Sequence, residues 1–165
     1  KARAALKSLL EDGYDFAYIH VEAPDEMGHQ GLVKEKIQAI EFIDKQVVEI
    51  LVKELEKAGA DSIQLTARTI SYLYDGNEKN PFLVYVDKLI DEIDIPVILG
   101  GSLRDMKSMN DVLNNTEVEL MSMSKPFVAQ ADFLADWKAN GGGVSICQSC
   151  NNCYSKKTST CFKHF

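Results

Sequence analysis

The sharpest short motif in the chain is His20-Val21-Glu22-Ala23-Pro24-Asp25-Glu26-Met27-Gly28-His29. The Asp25 carboxylate and the His29 imidazole stand four positions apart, and Pro24 and Gly28 shape the loop so that both can reach one ion. Carboxylate plus imidazole suits Zn²⁺ or Mn²⁺. Zinc sites usually take three or four protein ligands, and the only further histidine downstream of His29 is His164. The constellation is therefore incomplete as written, and a polar loop without its partners is the plainer alternative.

A second cluster closes the chain. Cys147, Cys150, Cys153 and Cys161 follow the pattern C-x₂-C-x₂-C-x₇-C. Four thiolates this close suit a tetrahedral Zn²⁺ site or a [4Fe–4S] cluster. The repeated two-residue gap is nearer to ferredoxin-type ligation than to a zinc finger, and Lys156, Lys157 and Lys163 beside it offset negative charge. The alternative is a set of reduced thiols on a flexible tail.

A third group could hold an anion. Gly100, Gly101 and Ser102 follow the apolar run Ile95–Leu99, and Ser124 and Lys125 follow Val118–Met123. Glycines let backbone approach a ligand, consecutive N–H groups cradle phosphate, and a lysine adds charge. In a (β/α)₈ barrel the loops after strands seven and eight often build such a site. A glycine pair after a strand also serves simply to turn the chain. Arg68 stands just past another strand-like run, where it either faces a ligand or is an ordinary surface arginine.

Composition narrows the classes. The 165 residues are 45% hydrophobic and 26% charged, ordinary for a globular protein. A formal net charge of −7 argues against a broad nucleic-acid surface, which needs a basic face. No apolar run reaches the eighteen residues of a membrane span. The N-terminus lacks the apolar core of a signal peptide, so a cytoplasmic location with reduced or metal-bound cysteines is expected. The chain opens on Lys1 rather than Met, as a piece of a longer protein would.

The elements that must position these residues read as alternating helix and strand. Helical spacing runs over Ala2–Glu11, and aromatic and β-branched residues predict a buried strand at Phe16–Val21. A polar loop spans Glu22–Gly31. A long amphipathic helix follows over Val33–Lys57, with Ile37, Ile40, Ile43, Val47, Ile50, Leu51 and Leu55 as its buried stripe. Strands are expected at Ser62–Thr66, Ile95–Leu99 and Val118–Met123. Helices are expected from Asn80-Pro81 to about Ile93, over Arg104–Leu113 and over Ala129–Ala139, with a hinge-like turn at Asn140–Gly143. This order predicts an α/β fold of parallel strands, a partial (β/α) barrel or open sheet with a Cys-rich tail.

Two resemblances attach to these motifs. From Ala58-Gly59-Ala60-Asp61-Ser62 through Pro96-Val97-Ile98-Leu99-Gly100-Gly101 to Met123-Ser124-Lys125-Pro126-Phe127, the chain resembles the end of an NADH:flavin oxidoreductase of the Old Yellow Enzyme family. The cysteine tail resembles an extension found in part of that family. The resemblance implies FMN, with its phosphate against Gly100, Gly101, Ser102, Ser124 and Lys125, with Arg68 near the flavin, and with NAD(P)H and a small-molecule substrate as partners. Relatives often carry glycine at the Ser102 position and arginine at the Lys125 position; lysine keeps the charge but loses the bidentate fork.

Residues 1–57 resemble the archaeal-type, cofactor-independent phosphoglycerate mutases. That likeness implies a catalytic metal at Asp25 and His29, with a phosphoryl-carrying serine or threonine lying elsewhere. The expected organisation is a mutase-like segment (1–57), flavin-barrel-like units (58–140) and a metal-binding tail (141–165). FMN-dependent oxidation–reduction is the leading expectation; a metal-dependent mutase fragment, or a chimeric scaffold without activity, is the alternative. A whole (β/α)₈ barrel takes about 250 residues. This chain must therefore form a homo-oligomer, close differently, or add Phe16–Val21 to its sheet as a substitute neighbour, the last being the favoured arrangement.

Overall fold

The structure is a computed structural model that describes residues 1–66, 83–101, 103–154 and 160–161. It divides into two compact units, Lys1–Asp61 and Ser62–Phe165.

The first unit is helical. α1 (Ala2–Leu10) and α2 (Ala23–His29) precede α3 (Val33–Ile43), a π-helical turn at Asp44–Val48, and α4 (Glu49–Lys57). α1 packs against α4 and the π turn, and α2 packs against α3. Its buried apolar residues are Ala2, Leu6 and Val52.

Three sequence expectations change here. The first is the strand at Phe16–Val21, which does not form. The segment takes no regular structure and makes no backbone–backbone hydrogen bond among the described residues, and Phe16 and Tyr18 are 78% and 76% exposed. A strand needs a neighbouring strand to take its backbone N–H and C=O groups, so the segment cannot serve as the substitute sheet neighbour. The second is the loop at Glu22–Gly31, most of which is helix α2. Pro24 sits in the first turn, and Asp25 and Glu26 meet the positive end of the helix. The third is the stripe of the long helix, which is only partly covered: Ile37 and Ile40 are half exposed. The π turn inserts one residue into its middle.

The second unit is α/β. Strands β1 (Ile63–Leu65), β2 (Val97–Gly100) and β3 (Leu120–Ser122) form an open parallel sheet in the order β1-β2-β3. The register pairs Leu65 with Leu99 and Leu99 with Met121. α5 (Leu83–Ile90) and α6 (Met106–Asn115) lie between the strands in sequence; α7 (Lys125–Ala129), α8 (Phe133–Asn140) and a 3₁₀ turn (Asn152–Tyr154) follow. The α/β class with parallel strands is as expected.

The core lies on one face of the sheet. Val97 and Leu99 are buried there, as are Val86, Leu103, Val112, Val118, Phe133 and Trp137 elsewhere in the unit. Phe133 packs edge-on against both Phe127 and Trp137, with centroids 4.5 and 4.9 Å apart. The alternate residues of the other face include Leu120, which is 53% exposed. Asp105 caps α6: its carboxylate accepts the Ser108 backbone N–H at 2.7 Å.

The tail is strapped to the start of α6. Met106 N–H donates to the Gly143 carbonyl, and Ser145 N–H to that of Arg104. Asp105 and Val144 form an antiparallel bridge, and an Arg104 N–H donates to the Cys147 carbonyl at 3.3 Å. The turn into this strap is Gly141–Gly143, three successive residues with φ of 72°, 115° and 154°, a run only glycine takes without strain.

Candidate functional site: an aspartate–histidine pair on a short helix

Helix α2 carries the motif that opens the chemistry of the chain. Helical residues four apart share a face, and this brings Asp25 Oδ2 to 3.2 Å from His29 Nε2. Both side chains are about three-quarters exposed, 77% and 74% respectively, so they stand open to a ligand.

That separation suits a shared ion. Two ligands held 2.0–2.1 Å from one tetrahedral Zn²⁺ lie about 3.4 Å apart, close to the distance the helix already sets. A second pair, His20 Nε2 and Glu22 Oε1, lies 3.2 Å apart just before the helix. Even so, among the described residues no group of three or more His, Cys, Asp or Glu is placed to hold a metal. Asp25 and His29 therefore fit as part of a ligand set.

Sequence reading missed Lys36, whose charge looks like one more solvated position on α3. The packing of α2 on α3 lays its ammonium over Gly28, where an added methyl group would come within 2.7 Å of Nζ. A cation over Gly28, within the helix that carries the pair, favours an anionic ligand there. Only tertiary packing brings it there, so local spacing carries no signal of it.

The residues of the expected phosphate cradle lie at or just past the ends of strands β2 and β3. Gly100 is buried in the sheet, and an added Cβ would lie 2.7 Å from Ser122 Oγ and 2.8 Å from Thr66 Oγ1. Its glycine is thus required by strand packing. Gly101 turns the chain at φ 85°. Ser124 precedes the five-residue helix α7 without a side-chain cap bond. Lys125 Nζ is shielded from solvent. Ser102 and Arg68 lie outside the described residues.

The cysteines Cys147, Cys150, Cys153 and Cys161 are free and half-buried. Ser149 N–H points at Cys147 Sγ, 3.5 Å away, and Ser149 and Asn151 both take positive φ, 53° and 61°. Lys156, Lys157, Lys163 and His164 lie outside the described residues. No described helix is long and apolar enough to cross a membrane.

Comparison with known proteins bears on the first unit. The chain is 48% identical over 59 residues to the 2,3-bisphosphoglycerate-independent phosphoglycerate mutase of Methanothrix thermoacetophila, covering 36% of this chain and 14% of that one. It is 58% identical over 48 residues to phosphoglycerate mutase 2 of Methanothermobacter thermautotrophicus, covering 29% and 11%. To the Saccharolobus islandicus mutase it is 35% identical over 91 residues, covering 52% and 20%. The chain thus spans a fifth or less of the length of these relatives. No solved structure matches.

These relatives overturn the leading expectation. They are named as phosphoglycerate mutases, and the flavin oxidoreductase reading, with FMN, NAD(P)H and an iron–sulfur cluster, gains no support. The family match agrees with the mutase side of the chain: residues 1–67 match the Metalloenzyme superfamily.

Proposed function

We propose that the first unit supplies the aspartate–histidine arm of a divalent-metal site in a phosphoglycerate-mutase-type isomerase. The observation that carries this reading is the 3.2 Å Asp25–His29 pair, placed within the stretch that matches the Metalloenzyme superfamily. Asp25 would hold a Mn²⁺ or Zn²⁺ ion through a carboxylate oxygen and His29 through Nε2. When bound, such an ion polarises a phosphoryl oxygen and stabilises charge in transfer. Lys36 would attract the phosphate of the substrate and offset its charge. The substrate class is a small phosphorylated hydroxy acid, a phosphoglycerate by analogy with the relatives' names.

Two ligands make a partial site, so turnover calls for further donors beyond the described pair. The test is calorimetric titration with Mn²⁺ and Zn²⁺, followed by an assay of phosphoglycerate isomerisation. Asp25→Ala and His29→Ala should each weaken binding by about tenfold or more. Equal affinity in both variants and in the parent chain would remove the assignment.

A further inference from the structure

The loop over residues 145–151 inverts the usual order of a protein surface. Its polar Ser145 and Ser149 are buried, each 5% exposed, while the apolar Val144 and Ile146 beside them are 67% and 41% exposed. Buried polar groups are the informative exceptions in a folded chain, because they must be held by partners. Here both serines hold one residue, Cys147. The Cys147 N–H donates to Ser145 Oγ at 3.2 Å, and the Ser149 N–H donates to Cys147 Sγ at 3.5 Å. An Arg104 guanidinium N–H donates to the Cys147 carbonyl at 3.3 Å. The backbone and the sulfur of this cysteine are thus fixed together.

Cys150 completes a Cys-x-x-Cys pair with it, and both thiols are free and half-buried. Ser149 and Asn151, which flank Cys150, take φ of 53° and 61°. Asparagine tolerates the left-handed region, whereas serine enters it seldom, and such backbone concentrates where a loop is shaped around a ligand. The Cys147 sulfur rests on the N–H of the residue just before Cys150. Side-chain rotation at Cys150 then suffices to bring the second sulfur alongside.

The number of donors selects the ion. Tetrahedral Zn²⁺ calls for three or four protein ligands, and among the described residues no group of three or more His, Cys, Asp or Glu is placed to hold a metal. Copper(I) is softer, prefers sulfur and is satisfied by two thiolates in line. We infer that Cys147 and Cys150 form a two-thiolate site for copper(I). Each thiol releases its proton as its Cu–S bond forms, and the ion keeps its oxidation state. The product is an anion, and the Arg104 guanidinium beside Cys147 offsets its charge. The site lies in the second unit and owes nothing to the aspartate–histidine pair of the first.

The test is competition for copper(I). The full 165-residue chain, reduced and kept anaerobic, is titrated into the coloured copper(I) complex of bicinchoninate, and fading of the colour reads transfer to the protein. One copper(I) per chain should transfer, and X-ray absorption should show two sulfur neighbours around it. Cys147→Ser and Cys150→Ser should each weaken binding by about a hundredfold or more, at least the upper end of what loss of a supporting group costs. Cys161→Ser should bind as the parent chain does. Fluorescence of Trp137, the only tryptophan, checks in the same samples that the second unit of each variant stays folded. A chain that takes no copper(I) from the chelator overturns the inference. So do three or four sulfurs around the ion, or a loss in Cys161→Ser equal to that in Cys147→Ser, since either would make the site a larger thiolate cluster.

Discussion

The two units of the chain solve opposite problems. Among the described residues, Ser62–Phe165 buries nine apolar residues, including the fully buried Phe133, Leu99, Val86 and Val97, whereas Lys1–Asp61 buries three: Ala2, Leu6 and Val52. Yet the smaller core belongs to the unit with the donor pair, and that unit also leaves Phe16, Tyr18 and Val33 in water. The second unit is built to hold itself; the first is built to be held. Apolar surface that a domain cannot bury itself is available for association, at roughly 25 cal/mol per Å² removed from water.

The largest expected consequence is kinetic. Chymotrypsin should cut at Phe16 and Tyr18 at least about a hundredfold faster than at Phe133 or Trp137, because exposed, unpaired backbone needs no unfolding to reach a protease. Mass spectrometry of a timed digest reads the order of cuts. First cuts in α8 would break the contrast between the units.

Next in size is a core truncation. Phe133→Ala removes the ring that touches Phe127 and Trp137 and should cost about 3–5 kcal/mol. Trp137 is the only tryptophan and lies in the second unit, so its fluorescence in urea reports that unit alone. A loss under about 1 kcal/mol would mean that the second core is as incomplete as the first.

Gly100→Ala sharpens the comparison further. The new methyl group would press on Ser122 and Thr66, both closer than 3.0 Å, and overpacking of this kind costs about 1–3 kcal/mol. Gly100→Ala combined with Ser122→Ala should recover part of that loss in the same urea titration. A silent Gly100→Ala would return this glycine to the class of ligand-facing residues.

How much of this was legible in the sequence follows the same division. The parallel strands around Val97–Leu99 and the helices between them were readable, because local patterning and the final burial agree in the second unit. The α6 boundary was readable to within two residues; the Asp105 cap moves its start to Met106. In the first unit, local preference and outcome part. Phe16–Val21 has strand composition, but pairing is supplied by neighbours, and no described residue supplies it. Helix α2 carried a readable signal, Pro24 in the first turn followed by Asp25 and Glu26, which Gly28 and the short length of the segment obscured. The Asp25–His29 pair was readable from spacing, whereas the flavin reading rested on Gly100, Gly101, Ser102, Ser124, Lys125 and a resemblance from Ala58 to Phe127, and the crowding around Gly100 is packing that no local pattern reveals. A glycine forced by Ser122 and Thr66 and a glycine that admits a phosphate look identical in sequence.

The smallest effect is the most discriminating about the donor pair. Asp25 and His29 touch each other at 3.2 Å, but both are about three-quarters exposed, and ion pairs in that setting contribute only about 0–1 kcal/mol. In EDTA, Asp25→Ala and His29→Ala should therefore shift stability by no more than about 0.5 kcal/mol each, and a double-mutant cycle should give a coupling of similar size. Hydrogen exchange of the α2 and α3 amides is the measurement, since the tryptophan reports only the other unit. A coupling near 2 kcal/mol would make the pair a structural clasp between the ends of α2. Near-zero coupling, joined to lost metal affinity in the same variants, would assign the pair to binding: two exposed side chains that the fold does not need for its own stability.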